Sequence, residues 1–549
     1  MQADIVVVGG GLAALRACVT AAKSGLGVLL LVKDRLCTGS SFYPMMDLVA
    51  CQSTDGTPEG EEAFLREILD TSLGMGSPEM NRLYVQNIAG AVRDMEELGI
   101  YPRRTDPKPA CFAQTVRPTF CWSGWDEIRA RSRAILAARG NVTVLEGASA
   151  LDLITRDGAV RGVTFMGPDG LATVAAKSVI LATGGFGDLY EHSLNTPDVS
   201  GDGQALALHA GAKLINLEFL QFIPGFLSPA YKTVFREPAL PYARPMLGAD
   251  GRDLLERYLP DEDSRRTCLA MRATHGPFTS RGPSKWFDIA MMEEILRGGA
   301  LDGFRIQYEP GILDVRFTFV TEYVRWLKEK RNVDIVRDEI RIAPFYHAAN
   351  GGVKIGSDCQ TAVRGLYACG EVSGGIHGAD RQGGNSTGSC LVFGRMAAER
   401  AVEHALGSGL ASPTSAQAEE SLRTHYGTGV GGTQTPEALL PKIRWLMWRS
   451  ANVIREEAAL RGALNDLRNW AEDYHALPGI LVRKTSRDAA KAAHFLVLGQ
   501  ALLTSMLARR ESRGSHYRRD YPNMESAWKK RLEVSLEGDM LKCAPEETL

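Results

Sequence analysis

Residues 4–34 read DIVVVGGGLAALRACVTAAKSGLGVLLLVKD. A β-branched run ends at Gly9, Gly10 and Gly11, and the small residue Ala14 takes the fourth place of the motif. A helical stretch, LRACVTAAKSG, follows, and then a second strand-like run, GVLLLVKD. Strand, tight turn, helix and strand in about 30 residues is the pattern of a dinucleotide-binding βαβ unit in its G-x-G-x-x-A form. Gly9 permits the turn, Gly11 lets a pyrophosphate approach the backbone, and Ala14 lets the helix sit close to the sheet. The diphosphate is expected on the helix N-terminus, where free N–H groups and the helix dipole favour an anion. The second strand ends in Lys33-Asp34, where an NAD site usually offers a ribose-binding acid. That departure, with the motif at the start of the chain, predicts FAD rather than NAD.

Three later segments extend the pattern. AAKSVILATGGFG (175–187) is another apolar strand running into Gly184 and Gly185. SGDGQALALHAGA (200–212) places Asp202 between two glycines ahead of a helix. VRGLYACGEVSGG (363–375) gives a strand followed by Gly370 and Glu371. In this order they predict a split domain whose sheet is completed late in the chain. GGIHGADRQGGNSTGS (374–389) has no hydrophobic period and contains one arginine. Its glycines imply that something approaches the backbone closely.

The chain has 549 residues, a formal net charge of -2, 44% hydrophobic and 23% charged residues. That balance is ordinary for a globular protein and gives no reason to expect nucleic acid or an anionic membrane as partner. No apolar run of about 18 residues stands out, so no membrane span is expected. The strand-like start, without a basic leader or twin-arginine signal, predicts a cytoplasmic location. None of the 10 cysteines forms a C-x-x-C pair, which argues against a zinc site, a cluster or a dithiol centre, and no metal site is expected.

VVVGGGLAALRA, VLLLVKD, ILATGGFG, GDGQALALHAGA, LEFLQFIP, FYHAANGGVKI, GLYACGEVSGGIHGADRQGGNSTGSCLVFGR and RRESRGSHYRRDYP together resemble the flavoprotein family of succinate dehydrogenase, fumarate reductase and L-aspartate oxidase. The resemblance implies an α/β fold: a split Rossmann-type FAD-binding domain (1–225 and 340–405), an inserted α+β capping domain (226–339) and a C-terminal helical domain (406–549). The helical period of 437–474 supports the last, and YGTGVGGTQTP (426–436) reads as a surface loop. The resemblance further implies that Gly383, Gly384 and Gly388 pass under the isoalloxazine, with Asn385 and Ser386 near its pyrimidine edge. Gly9, Gly11, Ala14, Lys33, Ser40, Ser41, Gly184, Asp202 and Glu371 complete the expected cofactor set, and Glu371 is expected to hold FAD hydroxyls. Arg381 matches the arginine that grips a substrate carboxylate through paired charge-assisted hydrogen bonds.

The departures are informative. Members of the family often attach FAD through a histidine. Here GSSFYPMM (39–46) has Phe42 in its place, so FAD is expected to be non-covalent. The family's dicarboxylate-binding histidine is Ile223 in EFLQFIP. Glu237 in FREPALPY, His347 in FYHAANGG and Arg381 are kept. Aligning on MMEEI puts Ile289 at the catalytic arginine. Losing a charged hydrogen bond costs about 1.5–3 kcal/mol, and losing a general acid costs about 10²–10⁴ in rate. Both losses together predict a small acidic or oxygen-rich substrate other than succinate. Replacement proton donors are sought in THGPFTSRGPSK, among His275, Arg281 and Lys285, with Arg281 first and His275 next; Arg244, outside that stretch, is weaker. His347 and Arg381 would orient the substrate.

The function expected is thus FAD-dependent hydride transfer, fumarate reductase-like with an altered dicarboxylate site. The missing arginine speaks against aspartate oxidation. The alternatives are flavin–sulfur chemistry like that of adenylylsulfate reductase, or an electron-transferring flavoprotein working with a separate iron–sulfur partner.

Overall fold

The computed structural model describes residues 1–248, 251–298, 300–427 and 432–546. The expected surface loop at 426–436 therefore lies partly, at 428–431, outside the described residues.

The opening segment folds as read. Strand Gln2–Val8 leads into helix Leu12–Ala22 and then strand Val28–Val32, with Val8 beside Leu31 in parallel register. Ile5, Val6 and Val7 are fully buried, as expected of a strand covered on both faces. The parallel sheet continues outward through Val142–Glu146 on one side. On the other side come Gly170–Leu181 and then Leu366–Ala368, about 185 residues later in the chain. An antiparallel pair, Ser149–Arg156 and Ala159–Gly167, extends the first half of strand Gly170–Leu181. Helix Asn385–Gly407 packs against helix Leu12–Ala22 over this sheet.

A second sheet, of three strands, joins Leu220–Ser228 to Ile340–Ala349 and Phe304–Ile306. It straddles the expected domain borders, because strand Leu220–Ser228 runs through residue 225 without a break. The capping segment adds helices Glu262–Arg272, Lys285–Leu296 and Thr318–Lys330.

The C-terminal region carries strands as well as helices. Strands Leu532–Glu537 and Met540–Pro545 form a hairpin. That hairpin pairs with Leu214–Ile215 and completes a five-stranded sheet containing residues 352–354 and 373–374. Among the described residues, helix Ser486–Ala508 is long and apolar enough to cross a membrane. It is instead a core helix, packed on Pro436–Ser450 and Glu457–Glu472 with Phe495, Leu498, Leu502 and Met506 buried. Its C-terminus is held by a fully buried ion cluster, in which Arg509 binds Glu218 at 2.6 Å and Glu511 at 2.8 Å.

Candidate active site

One cavity of about 750 Å³ begins at Gly10, Gly11 and Ala13, at the start of the first helix of the βαβ unit. It passes Ser40, Ser41, Gly184 and Glu371 and reaches Gly383, Gly384 and Ser386. The far end is walled by Ile223, Glu237, His347 and Arg381. Residues as distant in the chain as Gly10 and Ser386 thus meet in one space.

The near end fits a dinucleotide. Gly9 has φ +138°, and a Cβ there would lie 2.2 Å from the Ala182 carbonyl oxygen, so no side chain can occupy the turn. Helix Leu12–Ala22 starts at Gly11 with no side-chain cap, leaving its first N–H groups free to face an anion. Glu371 accepts hydrogen bonds from Ser40 Oγ (3.2 Å) and Ala349 N (3.1 Å), and burial raises its pKa. The floor fits a flat ring. Gly384 has φ +83°, and a Cβ on it would stand 2.9 Å from Gln52 N. It opens helix Asn385–Gly407, whose N-terminus also lacks a side-chain cap, a second positive dipole end at the same cavity. The buried Nε of Arg381 has no hydrogen-bond partner among the described residues.

The substrate end is built on strand Ile340–Ala349. The register shifts between Gln221↔Ala348 and Phe222↔Tyr346, leaving His347 as the extra residue of a β-bulge. A bulge re-aims a side chain, and here His347 lines the cavity. Burial, then the Arg381 and Arg236 charges, lowers the His347 pKa to about 3, so the ring is neutral at ordinary pH. Gln221, two residues before Ile223, accepts a 2.6 Å hydrogen bond from Arg381 Nη2. Arg381 Nη1 donates to the Gln382 carbonyl at 3.2 Å. Arg381 is 6% exposed and makes no ion pair with a carboxylate among the described residues. Burial lowers its pKa, an effect that the charges of neighbours including Glu371 only partly offset. Glu237 begins the 3₁₀ turn Glu237–Tyr242 and faces the cavity with no hydrogen bond or ion pair among the described residues.

Several expected residues lie elsewhere. His275 is buried outside the cavity wall: its Nδ1 meets the Pro277 carbonyl (2.8 Å), its Nε2 meets Ser284 Oγ (3.0 Å), and its ring stacks on Phe112. Burial and neighbouring arginines hold it at about 3. Arg281 is half-exposed, 4.0 Å from Asp380, and also outside the wall. Arg244 pairs with Glu309 on the surface, Lys285 lies over Trp286, and Ile289 is in the core. Lys33 and Asp202 bind each other at 2.8 Å, and Asp202 also takes His494 Nδ1 at 2.9 Å. They therefore brace the sheet against helix Ser486–Ala508 rather than line the cavity. Asn385 is held by Tyr84 and Gln52 beneath the floor, and Gly388 packs on Tyr84. Ala14 is fully buried in the helix–sheet contact, and Phe42 packs edge-on against Trp125.

Sequence reading missed three neighbours of the site. Arg236, beside Glu237, lines the cavity and is neutralised by the buried Asp47. Cys111 lines it too, accepts the Gly276 N–H at 3.3 Å, and is pushed up to about 12 by burial. Asp380, next to Arg381, accepts from Thr279 Oγ1 at 2.8 Å, and burial raises it to about 7. Only the adjacency of Arg236 and Asp380 to Glu237 and Arg381 could have flagged them.

Comparison with known proteins agrees with this geometry. The FAD binding domain family matches residues 4–387, and the fumarate reductase flavoprotein C-terminal family matches 441–542. The chain is 28% identical to a subunit of the fumarate reductase (CoM/CoB) of Methanothermobacter marburgensis, over 97% of this chain and 96% of that one. It is 30% identical to L-aspartate oxidase of Streptomyces coelicolor, over 98% and 92%. The solved structure of Mycobacterium smegmatis Sdh1 in complex with UQ1 superposes with a TM-score of 0.82 at 23% identity, covering 100% of this chain and 94% of that one. The protein is an FAD-dependent oxidoreductase, and the chain belongs to the fumarate reductase and succinate dehydrogenase flavoprotein family.

Proposed function

We propose that this enzyme transfers a hydride between flavin N5 and the carbon β to the carboxyl group of a small acid, with a proton exchanged at the α carbon. Bound FAD supplies the hydride donor or acceptor. Arg381 binds the acid's carboxylate, the neutral His347 orients it by hydrogen bonding, and the apolar Ile223 faces its body. Glu237 moves the proton in place of His275 and Arg281, which stand outside the cavity wall. The observation that carries this reading is the buried Arg381, unmatched by any carboxylate among the described residues, on the wall of the cavity that the glycine floor lines.

The test is anaerobic stopped-flow absorbance of the bound flavin. Mixing the reduced enzyme with unsaturated acids, or the oxidised enzyme with saturated ones, is expected to change the flavin's oxidation state. A flavin indifferent to every acid in both directions contradicts the proposal. The cofactor is proposed to be non-covalent, since Phe42 offers no attachment atom. Acid precipitation is expected to leave the yellow colour in the supernatant, and a yellow pellet would refute it. An iron–sulfur partner is proposed as the electron source, supported by the Methanothermobacter relative, whose name makes it one component of a larger fumarate reductase.

A pH dependence follows from Asp380. As pH rises through about 7 its carboxyl ionises one residue from Arg381. The added negative charge opposes binding of a carboxylate. KM for the acid is expected to rise by about 3- to 10-fold between pH 6 and pH 8, the scale of one charge acting at roughly 10 Å in a protein. Asp380→Asn is expected to flatten that rise. A rise that persists in the variant would assign it to another group.

A further inference from the structure

We infer that the substrate is a monocarboxylic acid with an apolar body, of the size of 3-phenylpropanoate or hexanoate, and not a short dicarboxylate. The inference rests on the proposed role of Arg381 as the acid's anchor. Two observations carry it: the distribution of charge around the cavity and the aromatic and aliphatic make-up of part of its wall.

The cationic side chains on the described cavity wall are Lys108, Arg236 and Arg381. Arg236 is committed to Asp47 through both Nε and Nη2, and also donates to the Leu48 carbonyl. Lys108 sits 3.8 Å over the centre of the Phe317 ring, close to Asp106, which accepts the Thr318 N–H at 2.8 Å. Among the described residues, Arg381 alone of the three has neither an ion-pair partner nor an aromatic face. One buried cation without an ion-pair partner among the described residues matches one carboxylate. A second carboxylate would meet Ile223, which has nothing to donate, and Glu237, which brings no cation to pair with it.

Part of the wall suits an apolar body. Phe317, Phe319 and Val320, at the start of cap helix Thr318–Lys330, line the cavity together with Pro241 and Tyr242. The Asp106 cap on that helix and the Lys108–Phe317 contact tie this wall to the loop at 105–113, which also borders the cavity. An alkyl or aryl group placed there removes apolar surface from water.

The experiment is isothermal titration calorimetry on the FAD-loaded protein with four acids: 3-phenylpropanoate, hexanoate, succinate and adipate. The two monocarboxylates are expected to bind about 10- to 100-fold more tightly than the dicarboxylates, the equivalent of burying one apolar side chain. Arg381→Met is expected to abolish that binding, and Ile223→His to shift the preference towards succinate. Tighter binding of succinate or adipate, still lost in Arg381→Met, would overturn the monocarboxylate assignment and leave the anchor standing. Equal binding of the acids in the wild type and in Arg381→Met would overturn the anchor itself. Absence of binding by all four acids to protein with full FAD content would overturn the substrate class.

Discussion

Replacing Arg381 with methionine is expected to lower kcat/KM for the acid substrate by about 10²–10⁴-fold, the cost of two charged hydrogen bonds at about 1.5–3 kcal/mol each. FAD content should not change, because the cofactor cradle is built from backbone and from Glu371, Ser40 and the glycines. Stability should not fall much either. Arg381 is buried with only Gln221 and a backbone carbonyl as hydrogen-bond partners and no ionic partner among the described residues. An uncompensated buried cation is a cost to the fold, and methionine fills similar volume without it. The control is Arg381→Lys, which keeps the charge but loses the paired geometry and should fall between the two. A loss of less than about 10-fold in Arg381→Met, with the flavin retained, would remove this residue from substrate binding.

Glu237→Gln is the second large effect. If Glu237 moves the proton, its amide cannot, and kcat should drop by about 10²–10⁴-fold. Binding should hold, because glutamine keeps the size and shape of the side chain. The separation of kcat from affinity distinguishes this role from a structural one. Glu237 makes no hydrogen bond or ion pair among the described residues, so the amide leaves no buried partner stranded. Equal losses in His275→Asn would return the role to the cap loop. That outcome runs against the geometry, since both ring nitrogens of His275 are already engaged.

Much of the fold was legible because its signals are local. Val8, Gly9, Gly11 and Ala14 lie within one turn and carry their own spacing, and the strands 170–181 and 366–368 announce themselves by apolar runs ending in glycine. The C-terminal hairpin was not legible. Its partner strand is only Leu214–Ile215, and pairing across more than 300 residues leaves no trace in a local window. Helix Ser486–Ala508 does not read as a long apolar element because Ser486, Arg487, Asp488 and Lys491 crowd its first turns.

The cavity wall was legible where spacing to a glycine fixed it, as at His347 and Arg381. The bulge that turns His347 inward was not, since a register shift belongs to two strands at once. The Lys33–Asp202 pair shows a further limit. Each residue looked like a cofactor contact, but long side chains of opposite charge choose partners by tertiary placement, and these two chose each other. His275 looked free in the sequence because its partners, Ser284 and Phe112, come into reach only when the cap loop folds against the loop at 105–113.

The most direct measurement is a crystal structure of the protein with FAD and 3-phenylpropanoate. The expected result is an isoalloxazine lying on Gly383 and Gly384, with the acid's carboxylate within about 3.2 Å of the Arg381 guanidinium. A flavin bound elsewhere, or an acid seated away from Arg381 while that guanidinium stays on Gln221 alone, would contradict it.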